Sequence, residues 1–153
     1  YTYEDQPRDC ETVAVDVEQG VVILITKGNL REPARVYTLP LPTQQPTRVL
    51  TAKHIATLPV FMITGGDISP DGEHLVLTTY GQGYQWARHR DETWAQALTR
   101  EPAMVHLPTR RQGEAICFGP GGKSVYLTSE KTPSPLLQVP VMAEDDMDSG
   151  LGP

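Results

Sequence analysis

The sequence lacks long apolar runs, clustered basic charge and closely spaced cysteines. Its longest apolar run, Val21 to Ile25, is far shorter than the ~18 apolar residues of a membrane-spanning helix, so we expect no transmembrane segment. The formal net charge of −6 argues against a nucleic-acid partner, because binding a phosphate backbone needs clustered Lys and Arg. The two short basic stretches, 88–90 and 110–111, are predicted to be solvated surface.

Only two cysteines are present, Cys10 and Cys117, and their spacing does not match a metal-ligand motif. They either pair as a disulfide or remain as two buried free thiols. Proline and glycine are plentiful by contrast, with 14 and 13 residues. This composition disfavours long helices and indicates many short elements joined by turns.

An internal repeat of about fifty residues organises the chain. Each copy has a short apolar strand, a tight turn, a second apolar strand and a Thr- or Ser-rich end; the copies are Glu11–Lys27, Thr64–Tyr80 and Glu114–Glu130. Aligning Val15, Ile68 and Phe118 gives separations of 53 and 50 residues. The turn of the second copy contains Pro70 and Gly72, which supply the backbone angles of a hairpin connection.

Further strands are predicted after each hairpin. They are Ala34–Leu41 and Arg48–Leu58 in the first copy, Tyr84–Arg88 and Met104–Leu107 in the second, and Leu136–Val141 in the third. The stretch Asp91–Leu98 begins with a potential helix N-cap and is predicted to form one or two helical turns. The strand count of four, four and three predicts an all-β fold, a β-propeller segment of about three four-stranded blades. A β-sandwich is the alternative, but it does not explain a hairpin that recurs every fifty residues.

The predicted domain covers residues 1–142, with blades at about 8–58, 60–108 and 110–142, followed by a flexible acidic tail at 143–153. Three blades cannot close a ring, because propellers contain at least about four. Tyr1–Tyr3, within residues 1–5, is predicted to be a closing outer strand for the third blade, which lacks one. The expected partner is a second propeller half, either another copy in a homodimer or another part of the same protein.

Several motifs carry a family resemblance: RDCETVAVD, TGGDISPDG, LTTYGQGYQW and QGEAICFGPGGKSVYLTSE. They resemble the C-terminal half of a bacterial family of six-bladed β-propeller proteins, over roughly residues 1–142. Members are typically exported or lipid-anchored, so the resemblance implies an extracytoplasmic location. The sequence is also similar, more distantly, to phytase-like and esterase-like propellers. Gly121 departs from the pattern, because the family has aspartate in that turn.

Acidic residues at the inner strands are the candidate site. Glu11 and Glu114 hold equivalent positions in two copies, Thr64 holds the third, and Asp67 follows three residues later. Carboxylates brought together around a propeller axis repel one another unless they are protonated, hydrogen-bonded or bridged by a cation, and Ca²⁺ suits such oxygen ligands. Glu11, Glu114 and Asp67 are therefore candidate metal ligands. The alternative is that each glutamate accepts backbone N–H bonds from the neighbouring blade and fixes its register.

Two functions follow from these observations. The first is an extracytoplasmic binding or scaffold propeller of unknown ligand, whose ring is completed by a second copy or half. The alternative, implied by the distant resemblance, is a metal-dependent phytase-like or esterase-like hydrolase with acidic residues near the axis.

Overall fold

The computed structural model describes residues 1–45 and 47–141, which form three sheets, antiparallel apart from one parallel strand pair, and one short helix. The tail predicted at 143–153 lies outside the described residues. Apart from a short N-terminal strand at the outer edge of the first sheet, each sheet begins with an inner strand and continues outward in chain order, as propeller blades do.

The first sheet contains β1 (Thr2–Tyr3), β2 (Cys10–Asp16), β3 (Val21–Thr26), β4 (Arg35–Pro40) and β5 (Thr51–Thr57). Blade 1 is β2 to β5. The turn between β2 and β3 uses Gly20 at a φ of 64°, a conformation that glycine adopts without steric cost. The β-branched run VVILIT makes β3 the central, most buried strand.

Blade 2 contains β6 (Ile63–Ile68), β7 (His74–Thr79), β8 (Gly83–Ala87) and β9 (Ala103–Val105). The helix α1 (Trp94–Ala97) is inserted between β8 and β9. This insertion confirms the predicted helical turn, but Thr93 and not Asp91 caps it, through a capping box with Gln96.

Blade 3 contains β10 (Gly113–Phe118), β11 (Ser124–Ser129) and β12 (Leu137–Pro140). Every predicted strand is thus present, and the described part of blade 3 has three strands, as predicted. The all-β propeller-segment fold is confirmed.

The blades stack face to face through their inner strands, with β6 lying between β2 and β10. Glycines permit the close approach. A Cβ on Gly66 would lie 3.1 Å from Thr12 Cγ2 of blade 1, and one on Gly65 would lie 3.1 Å from the Glu114 carbonyl of blade 3. The largest apolar core fills the space between blades 1 and 2, and a second core lies between blades 2 and 3.

The N-terminal strand differs from its prediction. Here β1 pairs in parallel with β5, so it is a fifth strand of the first sheet and not the outer strand of blade 3. Two backbone bonds hold it, from Thr2 N to Leu50 O and from Glu4 N to Ala52 O. The Tyr3 ring also packs edge-on against the buried Tyr37, with centroids 4.7 Å apart, because this side of blade 1 offers an apolar surface.

Candidate binding site at the upper end of the blades

The inner strands of the three blades, β2, β6 and β10, share an irregularity close to their first residues, where each pairs with the next strand of its own blade. The ladders skip one residue between Cys10 and Thr12, between Ile63 and Gly65, and between Gly113 and Ala115. The skipped residues are Glu11, Thr64 and Glu114, the three equivalent positions that the repeat singled out. A β-bulge redirects a side chain, and bulges are enriched beside functional sites.

We call this the upper end of the blades: the end where β2, β6 and β10 begin, together with the loops β3–β4, β7–β8 and β11–β12. Three of its residues have positive φ although they are not glycine: Met62 at 59°, Gln112 at 55° and Lys131 at 71°. Met62 and Gln112 directly precede the inner strands β6 and β10, and Lys131 lies in the β11–β12 loop. Such backbone strain persists only where the surroundings impose it, and loops on a rigid scaffold commonly carry binding residues.

At blade 1, Glu11 forms an ion pair with Lys27, with 2.5 Å between Oε1 and Nζ. The Lys27 ammonium also lies 5.8 Å from the centroid of the Tyr80 ring in the β7–β8 loop. Hydrogen bonding to the Glu11 carboxylate raises the pKa of the Lys27 ammonium, which keeps it protonated. Glu11 therefore has a cationic partner from its own blade, and this pair reaches towards blade 2.

At blade 2, Thr64 is buried and joins two blades. Its hydroxyl donates to the Gly113 carbonyl of blade 3 at 2.8 Å. At blade 3, the Gln112 amide nitrogen donates to the carboxylates of both Glu114 and Glu130. A polar surface thus runs across the upper end from Lys27 to Glu130.

Asp67 bonds to backbone N–H groups, unlike the two glutamates. Its Oδ2 accepts the backbone N–H of Phe118 in blade 3 at 2.9 Å, and its Oδ1 accepts its own neighbour's N–H, that of Ile68, at 2.9 Å. This is the register-fixing contact that the sequence analysis gave as the alternative to metal binding, although it is made by the aspartate. Glu11 and Glu114 bond side chains instead.

The metal prediction gains no support from this arrangement. Within residues 1–45 and 47–141, no group of three His, Cys, Asp or Glu side chains is placed to hold a metal ion. Calcium binding by Glu11, Glu114 and Asp67 stays a prediction.

Removing the Asp67 carboxylate is expected to loosen blade 3. Asp67→Ala leaves the buried Phe118 N–H without its acceptor, so the free energy of unfolding should fall by about 1–3 kcal/mol. Asp67→Asn keeps a carbonyl oxygen at this position and should lose less. Urea denaturation of both variants measures the difference; equal losses would show that the acceptor does not matter.

A second polar cluster, which was not predicted from the sequence, links blades 1 and 2 at the lower end of the blades, the end where β2, β6 and β10 finish. Arg88 was predicted to be solvated surface, yet its side chain is fully buried. It contacts Asp16, which is also buried, at 3.6 Å, and it lies 5.5 Å from the Trp94 ring centroid. Trp94 Nε1 in turn donates to Asp16 Oδ2 at 2.8 Å. Arg90 does match the prediction, because it is 78% exposed.

Both cysteines are free in the structure. Cys117 is exposed and Cys10 is half-buried, so the alternative of two free thiols holds, but neither is buried as that alternative expected. No helix of the described residues is long and apolar enough to cross a membrane.

Comparison with known proteins supports the fold and assigns no family. No family model matches the chain, and no curated protein matches it significantly. One similar solved chain belongs to the crystal structure of a nidogen/laminin complex, with a TM-score of 0.59 and 10% identity over 86% of this chain. Another is hydrazine synthase of Kuenenia stuttgartiensis, with a TM-score of 0.57 and 11% identity over 86% of this chain.

The chain spans 44% and 34% of those two chains. At such low identity the likeness shows the fold alone. The protein is a partial β-propeller of three blades. The resemblance to bacterial exported propellers stays a prediction.

Proposed function

We propose that this chain is a binding or scaffold module whose ring is completed by a second propeller half, contributed by a second copy of the chain. The closed ring would present the upper-end loops of all its blades around one axis. The exposure of Val13 and Val15 carries this proposal.

Val13 and Val15 lie on the side of β2 that faces away from blade 2. In blade 1 they are 64% and 44% exposed. The repeat alignment makes Val15 equivalent to Ile68 and Phe118, and Val13 equivalent to Ile116. Ile68 is only 7% exposed, Phe118 9% and Ile116 5%, because the preceding blade covers them. The valines therefore occupy positions that a preceding blade buries elsewhere in the same chain.

The opposite face of the chain, on β10 of blade 3, is uncovered as well. Ala115 and Cys117 on β10 are exposed, whereas their blade 1 equivalents, Thr12 and Ala14, are each only 2% exposed beneath blade 2. In both blade contacts within the chain, the position equivalent to Val15 holds a large buried apolar residue, Ile68 in blade 2 and Phe118 in blade 3. A second copy offers both sides together, so a two-fold arrangement would bury both open faces of each chain.

A disulfide trap tests the partner directly. Between blades 2 and 3, the Asp67 side chain contacts the backbone of Phe118. The repeat alignment makes Cys117 equivalent to Asp67 and Val15 equivalent to Phe118. Across a closed ring, Cys117 of one copy should therefore lie beside Val15 of the other. Val15→Cys, in a Cys10→Ser background, is expected to form a covalent dimer on mild oxidation through the native Cys117. Leu30→Cys is the matched control, because Leu30 is 90% exposed in the β3–β4 loop, away from this face.

Non-reducing electrophoresis separates the outcomes. Cross-linking of the Val15→Cys protein well beyond that of the Leu30→Cys protein supports the second-copy ring. Equal cross-linking of both, or of neither, would contradict it. The extracytoplasmic location and the hydrolase alternative remain predictions from the sequence.

A further inference from the structure

A cavity of about 350 Å³ opens at the upper end between blades 2 and 3. The chain connecting β9 to β10 forms one wall and the β11–β12 loop forms the other. Its charged lining residues are three cations, Arg110, Arg111 and Lys131, and one acid, Glu130. With three cations against one carboxylate, the cavity has an excess of positive charge.

Arg110 is the unusual member of this set. It is half-buried, and its Nη2 donates to the Thr78 hydroxyl. Its Nε and Nη1 are shielded from solvent and have no hydrogen-bond partner among the described residues. No carboxylate of the described chain forms an ion pair with it, and burial lowers the pKa of the Arg110 guanidinium.

The contrast with Arg88 shows what Arg110 is missing. Arg88, whose side chain is fully buried, contacts the carboxylates of Asp16 and Glu18 and donates to the Gly72 carbonyl. A buried cation without such partners is costly, and an anion placed beside it offsets that cost. Gly113 leaves room for the guanidinium at this position, since a Cβ there would lie 2.4 Å from Arg110 Nε.

We infer that this cavity is a binding site for an oxyanion, the carboxylate or phosphate group of a small organic acid. Arg110 places a positive charge beneath the cavity, and Arg111 and Lys131 add two more positive charges to its lining. The remaining walls suit an organic body, because they are largely apolar: Pro108, Pro133, Pro135 and Leu137. All of these residues belong to one chain, so the site does not depend on closure of the ring.

Titration of the unaltered protein with simple probes tests the site. Inorganic phosphate and benzoate are added separately, with sodium chloride at matched ionic strength as the reference, and backbone amide resonances are followed by NMR. The expected result is saturable shifts at Arg110, Arg111, Lys131 and their neighbours. Saturation by phosphate alone indicates a phosphate group, and saturation by benzoate indicates a carboxylate.

Variants then assign the binding to Arg110. Arg110→Met removes the positive charge beneath the cavity, and the loss of its attraction for the anion should raise the dissociation constant by roughly 10-fold. Arg90→Met removes an exposed arginine elsewhere and should leave the dissociation constant unchanged. If Arg110→Met does not fold, the location of the shifts in the unaltered protein decides.

Three results would overturn the inference. One is the absence of saturable shifts with both probes, and another is shifts scattered over the surface. The third is an equal affinity in the Arg110→Met protein. None of these would bear on ring closure, which is measured separately by cross-linking and mass.

Discussion

Arg88→Met is expected to lower the free energy of unfolding by about 3–5 kcal/mol, because it leaves the buried Asp16 carboxylate without its cation. The guanidinium also bonds the carbonyls of Gly72 and Glu92, and these would lose a donor. Since Asp16 belongs to blade 1 and Arg88 follows β8 of blade 2, the substitution should weaken the contact between these two blades. Urea denaturation followed by tryptophan fluorescence measures the loss, because Trp94 lies in the same cluster.

Two further variants separate the ion pair from general damage. Arg90→Met removes an exposed arginine two residues away and should change stability by no more than about 0.5 kcal/mol. Combining Arg88→Met with Asp16→Asn should recover part of the loss, since no unpaired charge then remains buried. A loss below about 1 kcal/mol for Arg88→Met would show that Arg88 does not hold the blades together.

Val15→Lys is expected to weaken association of two copies by at least about 100-fold, which corresponds to about 2.7 kcal/mol. In the closed ring, position 15 of one copy faces the small side chains of Ala115 and Cys117 of the other, and a lysine there would be desolvated without an acid. Within a single chain Val15 is already 44% exposed, so the monomer should keep its stability. Sedimentation velocity over a range of concentrations gives the dissociation constant.

Leu30→Lys provides the control, because it adds the same charge in an exposed loop outside the open faces. It should associate as the unaltered chain does. If Val15→Lys and the unaltered chain had the same dissociation constant, the open face of blade 1 would not be the dimer interface. If Val15→Lys also lost monomer stability, the valine would have a role within its own blade.

The hairpin repeat made the fold predictable from the sequence. Short apolar strands around turns such as that of Pro70 and Gly72 are local signals, and the structure places a strand wherever one was predicted. The repeat alignment also matched positions that are equivalent in the structure, because Glu11, Thr64 and Glu114 each lie at the β-bulge of their own inner strand.

Contacts between blades were not predictable in the same way. Arg88 has charged sequence neighbours and lies in an acidic chain, which favoured a solvated position. Its burial depends on Asp16, which is 72 positions earlier and paired through the stacking of two blades. Only Trp94, in an insertion that neither other copy has, signalled something unusual in this region.

The position of the N-terminal strand and the partners of the acidic residues were missed for a related reason. A two-residue strand has little sequence information about which edge it joins, and the aromatic surface around Tyr37 decides the position of β1. Likewise, Lys27 follows Glu11 by 16 residues, and only the β2–β3 hairpin register brings them together. The contact of Asp67 with Phe118 N was not visible in the sequence either, because Phe118 belongs to the next blade.

The native mass of the unaltered chain tests the central claim most directly. If Val13 and Val15 lie beneath the blade 3 of a second copy, native mass spectrometry and light scattering should give twice the 16.9 kDa of one chain, with no higher species. A mass of one chain, unchanged up to high micromolar concentration, would contradict a ring closed by a second copy.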